Sequence, residues 1–232
     1  MHYDWQASLA LLALAIVITK VGKWLAFKVP ALARERELNF AADQPKIAME
    51  KYPPIIAATR KIGLLSNLLF FVVIAPFFVT LQSQSVVTVL VGIVTILMVY
   101  DFFYYLTHRF IFHGQSFMRQ VHALHHQARN PTHIDAYYVH PLETFIGISL
   151  FMGTIALLGA VMGPFNIVTV VIPYVIFQQL NIVNHTHIEL DRFPYKTLHW
   201  ITAKHTVHHE NMHKGNYATI TLLYDKLFGT LD

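Results

Sequence analysis

The chain has 232 residues and a formal net charge of +4; 55% of its residues are hydrophobic and only 13% are charged. Soluble domains carry roughly 25% charged residues, so this composition excludes an ordinary soluble domain and indicates lipid as the main solvent. The chain contains no cysteine, which excludes iron–sulfur clusters, c-type haem attachment and thiolate zinc sites.

Five apolar stretches are long enough to cross or nearly cross a bilayer. They comprise residues 5–29, 64–81, 86–106, 144–162 and 165–184. Short turns at 82–85 and 163–164 join the second stretch to the third and the fourth to the fifth, so both pairs are predicted to form helical hairpins. The first stretch lacks the flanking features of a cleavable signal, and we expect it to be a retained anchor. The sequence therefore predicts an all-α, multi-pass membrane helical bundle.

The positions of the basic residues predict the topology. All 17 lysines and arginines lie in three polar regions, 20–61, 109–129 and 192–226. Because basic residues stay cytoplasmic, we expect the N-terminus outside and a helical cap on the cytoplasmic face. This basic face suits anionic headgroups and needs no nucleic-acid partner. We interpret residues 1–232 as a single integral-membrane domain, with an anchor span and polar segment (1–63) and a catalytic core (64–232).

The histidines form clusters on the predicted cytoplasmic side. These are His108 and His113; His122, His125 and His126; His185 and His187; and His205, His208 and His209. In the spacing HxxHH, residues i, i+3 and i+4 share one helix face, so each triplet can converge on one or two metal ions as half of a cage. His108 and His113 would lie about 140° apart on an ideal helix, so both can be ligands only if the helix bends or the centre straddles it.

Such a concentration of imidazoles indicates metal binding. Without a metal, they would leave donors unpaired. All-imidazole sites suit iron, zinc, copper or nickel. A structural zinc site needs only four ligands, whereas about nine candidates suit two ions with space for oxygen or a substrate. The clusters therefore predict a two-metal redox centre.

Five motifs follow one another in the second half of the chain. They are HRxxxH at 108–113, HxxHH at 122–126, His140-Pro141-Leu142-Glu143, HxxHH at 205–209, and Asn216-Tyr217 followed by Asp225-Lys226-Leu227-Phe228-Gly229-Thr230. With these motifs, roughly residues 101–232 resemble the fatty acid hydroxylase and sterol desaturase superfamily of membrane di-iron oxygenases.

The resemblance implies a set of metal ligands. It assigns this role to the three boxes, that is, to His108, His113, His122, His125, His126, His205, His208 and His209. A further ligand at the end of the span before the last box would be His185. His187 is an additional candidate, although many family members carry asparagine at that position. His140 would be structural or would support a ligand from behind.

The same resemblance implies a reaction. Two iron ions, which zinc can replace in purified material, would use O₂ and external electrons to hydroxylate or desaturate a C–H bond of a membrane lipid. Ferredoxin or cytochrome b5 with its reductase would supply the electrons and dock on the basic cytoplasmic face. Sterol, fatty acyl, ether-lipid and carotenoid substrates remain open at this point, as does the choice between hydroxylation and desaturation.

Asp101 is an acidic residue inside a predicted span, seven residues before His108. A carboxylate in this position is costly and usually functional. Because two helical turns place it on the same face as His108, we expect Asp101 to orient a metal-binding histidine. The alternative is a hydrogen bond to another span.

Two other functions fit parts of the sequence. His209-Glu210-Asn211-Met212-His213 satisfies HExxH, the zinc metalloprotease motif, but it overlaps HxxHH, and Lys214-Gly215-Asn216 soon breaks the helix. A non-catalytic metal carrier would place ionisable ligands along a path through the membrane, whereas these histidines crowd at one face.

Overall fold

The computed structural model describes residues 2–190 and 192–232. In chain order the elements are α1 (Trp5–Ala26), α2 (Pro30–Ile47), α3 (Tyr52–Leu69), β1 (Val79–Thr80), α4 (Val86–Leu106), α5 (Phe117–Ala123), α6 (Pro141–Met162), β2 (Phe165–Asn166), α7 (Ile167–Val183), α8 (Lys196–Glu210) and α9 (Leu223–Leu227). π-Helical turns at Phe70–Ile74 and Thr107–Phe112 extend α3 and α4, and 3₁₀ turns lie at Ala75–Phe77, His125–Gln127 and His133–Tyr137. The predicted all-α helical bundle is confirmed.

Within the described residues, four helical segments are long and apolar enough to cross a membrane: Trp5–Ala26, Tyr52–Phe77, Val86–Phe112 and Pro141–Met162. The fifth predicted stretch corresponds to α7, which is apolar but has only 17 residues. The second segment begins at Tyr52, not at residue 64 as the sequence analysis predicted. Hydropathy missed this first part because it contains Arg60 and Lys61, although Pro53 in its first turn is typical of a helix start.

Helices that are neighbours in the sequence are not the main packing partners. α3 packs against α6, α4 packs against α6 and α7, and α1 packs against α7. The turns of the two predicted hairpins are tied together by β1 and β2, which pair in parallel with Val79 opposite Phe165. This strand pair lies at the end of the bundle away from the histidines.

Two glycines allow close contacts within the bundle. A Cβ atom at Gly92 of α4 would lie 2.5 Å from Thr169 Cγ2, and one at Gly159 of α6 would lie 2.7 Å from Phe78 Cδ1. Contacts this short are not tolerated, so a side chain at either position would push the elements apart. Buried apolar side chains of α1, α4, α6 and α7 fill the core around these contacts.

The helical cap at the other end is fastened to α2 and α3. The Tyr52 hydroxyl donates to Asp135 Oδ1 at 2.8 Å, and Lys46 forms an ion pair with the same buried carboxylate. The Thr59 hydroxyl donates to the carbonyl oxygen of Val139 at 2.6 Å. These contacts hold the segment that follows the second histidine box against the spans.

Candidate metal centre

The structure brings nine of the candidate histidines together in two adjacent groups. The first, the five-histidine group, contains His108, His113, His122, His126 and His208; the second, the four-histidine group, contains His125, His185, His205 and His209. Within each group, one nitrogen per histidine lies within 4.8 Å of all the others. Imidazole nitrogens bind zinc at about 2.0–2.1 Å, so ligands around one ion lie at most about 4.2 Å apart. Each group is therefore close to the size required for a single ion.

Each of the two HxxHH boxes contributes histidines to both groups. His122 and His126 contribute to the five-histidine group, while His125 between them points to the four-histidine group. In the last box the pair His205 and His209 joins the four-histidine group, and His208 crosses to the other. Each box therefore links both groups, which keeps the two groups side by side.

The first box is reshaped by the π-helical turn at the end of α4. The backbone N–H of His113 donates to the carbonyl oxygen of His108 at 3.0 Å, which is the i→i+5 bond of a π-helix. This wider turn brings residues five apart towards one face, and the two imidazole ring centroids are 5.0 Å apart. The bend that the sequence analysis required for this pair is thus a local change of hydrogen-bond register.

The second box does not lie on one continuous helix, contrary to the expectation from its spacing. α5 ends at Ala123, and His125 and His126 lie in a 3₁₀ turn. The predicted convergence of His122 and His126 is nevertheless observed, since their Nε2 atoms are 3.0 Å apart. The last box does lie on a continuous helix, α8.

Hydrogen bonds on the outer side of the rings fix the orientation of most of these imidazoles. The Nδ1 atoms of His108, His113, His125, His185, His208 and His209 contact backbone carbonyl oxygens at 2.7–3.2 Å, and that of His122 contacts a carboxylate oxygen of Glu143 at 2.8 Å. Carbonyl oxygens only accept, so Nδ1 must carry the proton in those six histidines. A neutral imidazole then has a bare lone pair on Nε2.

These lone pairs face one another. The Nε2 atom of His108 lies 3.1 Å from that of His208, and the Nε2 atoms of His125 and His185 are 3.0 Å apart. Since both atoms of each pair lack a proton, no hydrogen bond can join them, and the contact is repulsive without a cation between them. The donor set fits metal ions that prefer imidazole, such as iron, zinc or copper.

Burial keeps the imidazoles outside the spans in the neutral form that binds metals. Burial is the main cause that lowers the pKa of His113 and of His122 to about 3. Burial, reinforced by neighbouring histidines, also lowers the pKa of six further histidines of the two groups, namely His125, His126, His185, His205, His208 and His209. Protonation therefore does not compete with a metal near neutral pH.

The lowered pKa values predict that the metal-free protein loses stability in acid. Histidines of the unfolded chain bind protons below about pH 6.5, whereas His113 and His122 stay neutral in the fold to about pH 3. The unfolded state thus binds more protons in this window, and the free energy of unfolding should fall by up to about 1.4 kcal/mol per histidine and pH unit. Thermal unfolding of chelator-treated protein in detergent between pH 8 and 5 tests this. A melting temperature that stays constant below pH 6.5 would contradict it.

Comparison with known proteins identifies the family. The fatty acid hydroxylase family model matches residues 93–230, which is more than half of the chain. The chain belongs to the fatty acid hydroxylase family. Methylsterol monooxygenase 1 of Rattus norvegicus is 30% identical over 131 residues, which are 56% of this chain and 43% of the relative. The same protein of Gallus gallus is 30% identical over 136 residues, covering 56% and 42%.

The matched region spans less than half the length of these two methylsterol monooxygenases. No solved structure matches the chain significantly. The family model covers the chain from within α4 to beyond α9 and includes every histidine of both groups. With its long apolar helices, this member of the fatty acid hydroxylase family is an integral membrane protein.

Glu143 is a site residue whose role the sequence analysis missed. Its carboxylate is buried at the start of α6 and accepts a hydrogen bond from Nδ1 of His122. In the motif His140-Pro141-Leu142-Glu143, only His140 was assigned a role, either a structural one or the support of a ligand. The structure shows a structural role: His140 caps α6, because its Nδ1 accepts from the backbone N–H of Leu142 at 3.1 Å. The acidic residue at the third position of α6 was the available signal.

His187 lies outside both groups. Asn39 of α2 binds the backbone of His187 on both sides: its Nδ2 donates to the carbonyl oxygen at 2.8 Å, and its Oδ1 accepts from the N–H at 3.0 Å. The chain has turned away from the metal groups two residues after His185. The structure therefore does not bring His187 to the candidate centre.

The expectation for Asp101 also needs correction. Its fully buried carboxylate accepts hydrogen bonds from the backbone N–H groups of Thr219, Ile220 and Thr221 at 2.8–3.1 Å, not from a histidine. The segment that it holds also contains Tyr217, whose carbonyl oxygen contacts Nδ1 of His108. Asp101 therefore acts on the centre through the backbone that follows α8.

Asp101→Ala should destabilise the fold strongly. The substitution leaves three backbone donors of residues 219–221 without their acceptor, and each buried unpaired donor costs about 1–3 kcal/mol. We expect a loss of at least about 3 kcal/mol, measured as a lower melting temperature in detergent. Asp101→Asn keeps one acceptor oxygen and should show a smaller loss; equal stability of all three proteins would contradict this role.

A cavity of about 290 Å³ lies beside the two groups. His108, His122, His125, His185, His205 and His208 contribute to its wall. Residues of α3, α6 and α7 form much of the rest of its wall. A ligand in this space would contact both histidine groups at once.

Proposed function

We propose that this chain is a membrane-bound oxygenase that holds two iron ions between nine histidines and oxidises a C–H bond of a membrane lipid. The observation that carries the proposal is the arrangement of unprotonated Nε2 atoms, which face one another at 3.0 Å in the four-histidine group and at 3.1 Å in the five-histidine group. Membership of the fatty acid hydroxylase family supports lipid oxidation rather than metal storage.

When bound and reduced, the iron pair would supply activation of O₂, so that substrate RH, O₂, two electrons and two protons give ROH and water, or an alkene and two waters. The protein itself orients the ligands. Each Nδ1–H bond to a backbone carbonyl oxygen holds its ring in place before a metal arrives. The carbonyl oxygens that accept these bonds belong to residues far apart in the sequence, such as Ala128 and Gly215. The ligand geometry therefore depends on the whole cap.

Aromatic side chains separate the five-histidine group from solvent. The Phe112 ring stacks on His122 with ring centroids 5.2 Å apart. The centroid of the Tyr217 ring lies 5.1–5.6 Å from the ring centroids of His108, His113 and His208. Exclusion of water protects a reactive oxidant from side reactions. We infer that these rings limit oxidation to a lipid C–H bond inside the cavity.

We propose a sterol-type lipid as the substrate. The names of the relatives, methylsterol monooxygenases, support this choice, and the cavity between spans suits a substrate that already resides in the bilayer. The oxidation would be hydroxylation, in keeping with the same names.

The topology proposed from the charges also applies here. We infer that the N-terminus lies outside and that the histidine groups and the C-terminus face the cytoplasm. Electrons would come from a ferredoxin or a cytochrome b5 with its reductase, docking on the basic cap. We treat residues 1–232 as one membrane domain, since α1 packs along α7 and belongs to the same core.

The two alternative functions find less support in the geometry. A zinc metalloprotease with the motif HExxH would need His209 and His213 on one helical face, but α8 ends at Glu210, which is exposed. A carrier would need ligands along a path through the bundle, whereas both groups lie at one end of the spans.

Lipid mass spectrometry of cells with and without the protein tests the proposed function. We expect one lipid class to gain one oxygen atom in cells that express the wild-type chain, and ¹⁸O₂ should label the product. Cells that express His125→Ala at equal levels should show no shift. A shift that persists with His125→Ala would refute the mechanism, and the loss of two hydrogens without a gain of oxygen would change hydroxylation to desaturation.

A further inference from the structure

The cavity beside the histidines is lined on one side by exposed residues of both α3 and α7, among them Leu64 and Asn181. α3 packs against α6, and α7 packs against α1 and α4, so these two helices border the cavity from opposite sides. They are joined where the Tyr174 hydroxyl donates to Asn67 Oδ1 at 2.9 Å. Arg60 of α3 also lines the cavity and is exposed, and it lies seven residues before Asn67, a distance of about 10 Å along the helix. This stretch of α3 includes Leu64, whose side chain is 61% exposed.

Two glycines that line this part of the cavity are not explained by packing. A Cβ atom at Gly147 of α6 would meet no atom within 4 Å, and one at Gly63 of α3 would meet only Ile148 Cδ1 at 4.0 Å. They differ in this from Gly92 and Gly159, where a Cβ would clash. Glycine inside a helix costs roughly 0.5–1 kcal/mol relative to alanine. The absence of side chains at Gly63 and Gly147 therefore enlarges the cavity.

We propose that Gly63 and Gly147 hold open a lateral entrance through which the lipid substrate passes from the bilayer to the histidine groups. The width of this entrance sets the bulk of the lipid that is accepted. This inference rests on the proposed function for the identity of the ligand, but the entrance itself is a feature of the spans.

Photoaffinity labelling with a diazirine analogue of cholesterol tests the proposal. The protein, as purified and reconstituted in lipid nanodiscs without an electron donor, is irradiated with the probe, and labelled peptides are mapped by mass spectrometry. We expect labels on peptides that carry residues 59–67 and 144–148. A leucine side chain at this position would occupy part of the cavity, so Gly147→Leu should reduce this labelling at least about fivefold.

A matched control lies on the same helix. Gly153 of α6 also has no atom within 4 Å of an added Cβ, but it does not line the cavity. Gly153→Leu should therefore leave the labelling of the cavity peptides unchanged. Both leucine variants should melt at the wild-type temperature or above it, because leucine is a better helix former than glycine and neither position is crowded.

Three results would overturn the proposal. These are a wild-type protein without cavity labels, a Gly147→Leu variant that labels like the wild type, and a Gly147→Leu variant that melts well below the Gly153→Leu control. The last result would show that Gly147 has a packing role. Because no turnover takes place in this experiment, its outcome is independent of lipid oxidation. Failure of the proposed reaction and failure of the entrance are therefore distinguishable.

Discussion

Replacement of His125 by alanine should remove about one metal ion per chain and abolish lipid oxidation, whereas replacement of its neighbour His126 should spare most of the metal. His125 belongs to the group of four histidines, and its loss leaves three ligands. His126 belongs to the group of five, and its loss leaves four, which still suffice for a tetrahedral site. We expect at least about a thousandfold loss of activity for His125→Ala and about 10–100-fold for His126→Ala.

The two variants are matched controls for each other, since they differ by one position in the same 3₁₀ turn. Iron and zinc should be counted together by elemental mass spectrometry after dialysis against a mild chelator. Equal metal loss in the two variants, or a larger loss in His126→Ala, would contradict the division of the second box between the two groups.

Glu143→Gln should impair the centre although no ligand is changed. The Glu143 carboxylate accepts the Nδ1 proton of His122 at 2.8 Å and so increases electron density on the Nε2 that faces the five-histidine group. An amide oxygen can accept the same bond but carries no charge. Changes to such outer partners of ligands typically cost 10–100-fold in metal affinity or activity, and we expect a loss in this range, measured by chelator competition and by product formation.

Glu210→Gln is the matched control because it makes the same chemical change at the exposed end of α8. It should leave metal affinity and lipid oxidation within about twofold of the wild type, as expected for a surface substitution. If Glu210→Gln abolished the activity while Glu143→Gln did not, the HExxH interpretation would become the better account of the site.

The spans and the gathering of histidines could be predicted from the sequence because both depend on local patterns. Apolar runs of membrane length identify helices without knowledge of their neighbours. The HxxHH spacing brings imidazoles close together on any helical turn, even where α5 gives way to a 3₁₀ turn. The start of α3 at Tyr52 was missed because hydropathy responds to Arg60 and Lys61, whereas the helix continues through them.

The division of the boxes between two groups was beyond sequence reasoning. Which group receives His125 or His208 depends on how the second box and α8 approach each other in three dimensions, and spacing carries no such information. The partners of Asp101 lie about 120 residues away in sequence, so its position relative to His108 pointed to the wrong contact. The π-helical turn is a change of hydrogen-bond register, which the pattern HRxxxH allows but does not specify.

The central claim is that nine imidazoles enclose two separate ions, and the metal content of the wild-type protein tests it most directly. The full chain should be expressed in iron-supplemented cells, purified anaerobically in detergent, freed of loosely bound metal and analysed for iron and zinc per chain. The account predicts a combined content close to two, retained after mild chelation and released on acid unfolding. A content of one ion or none in a folded protein would contradict it.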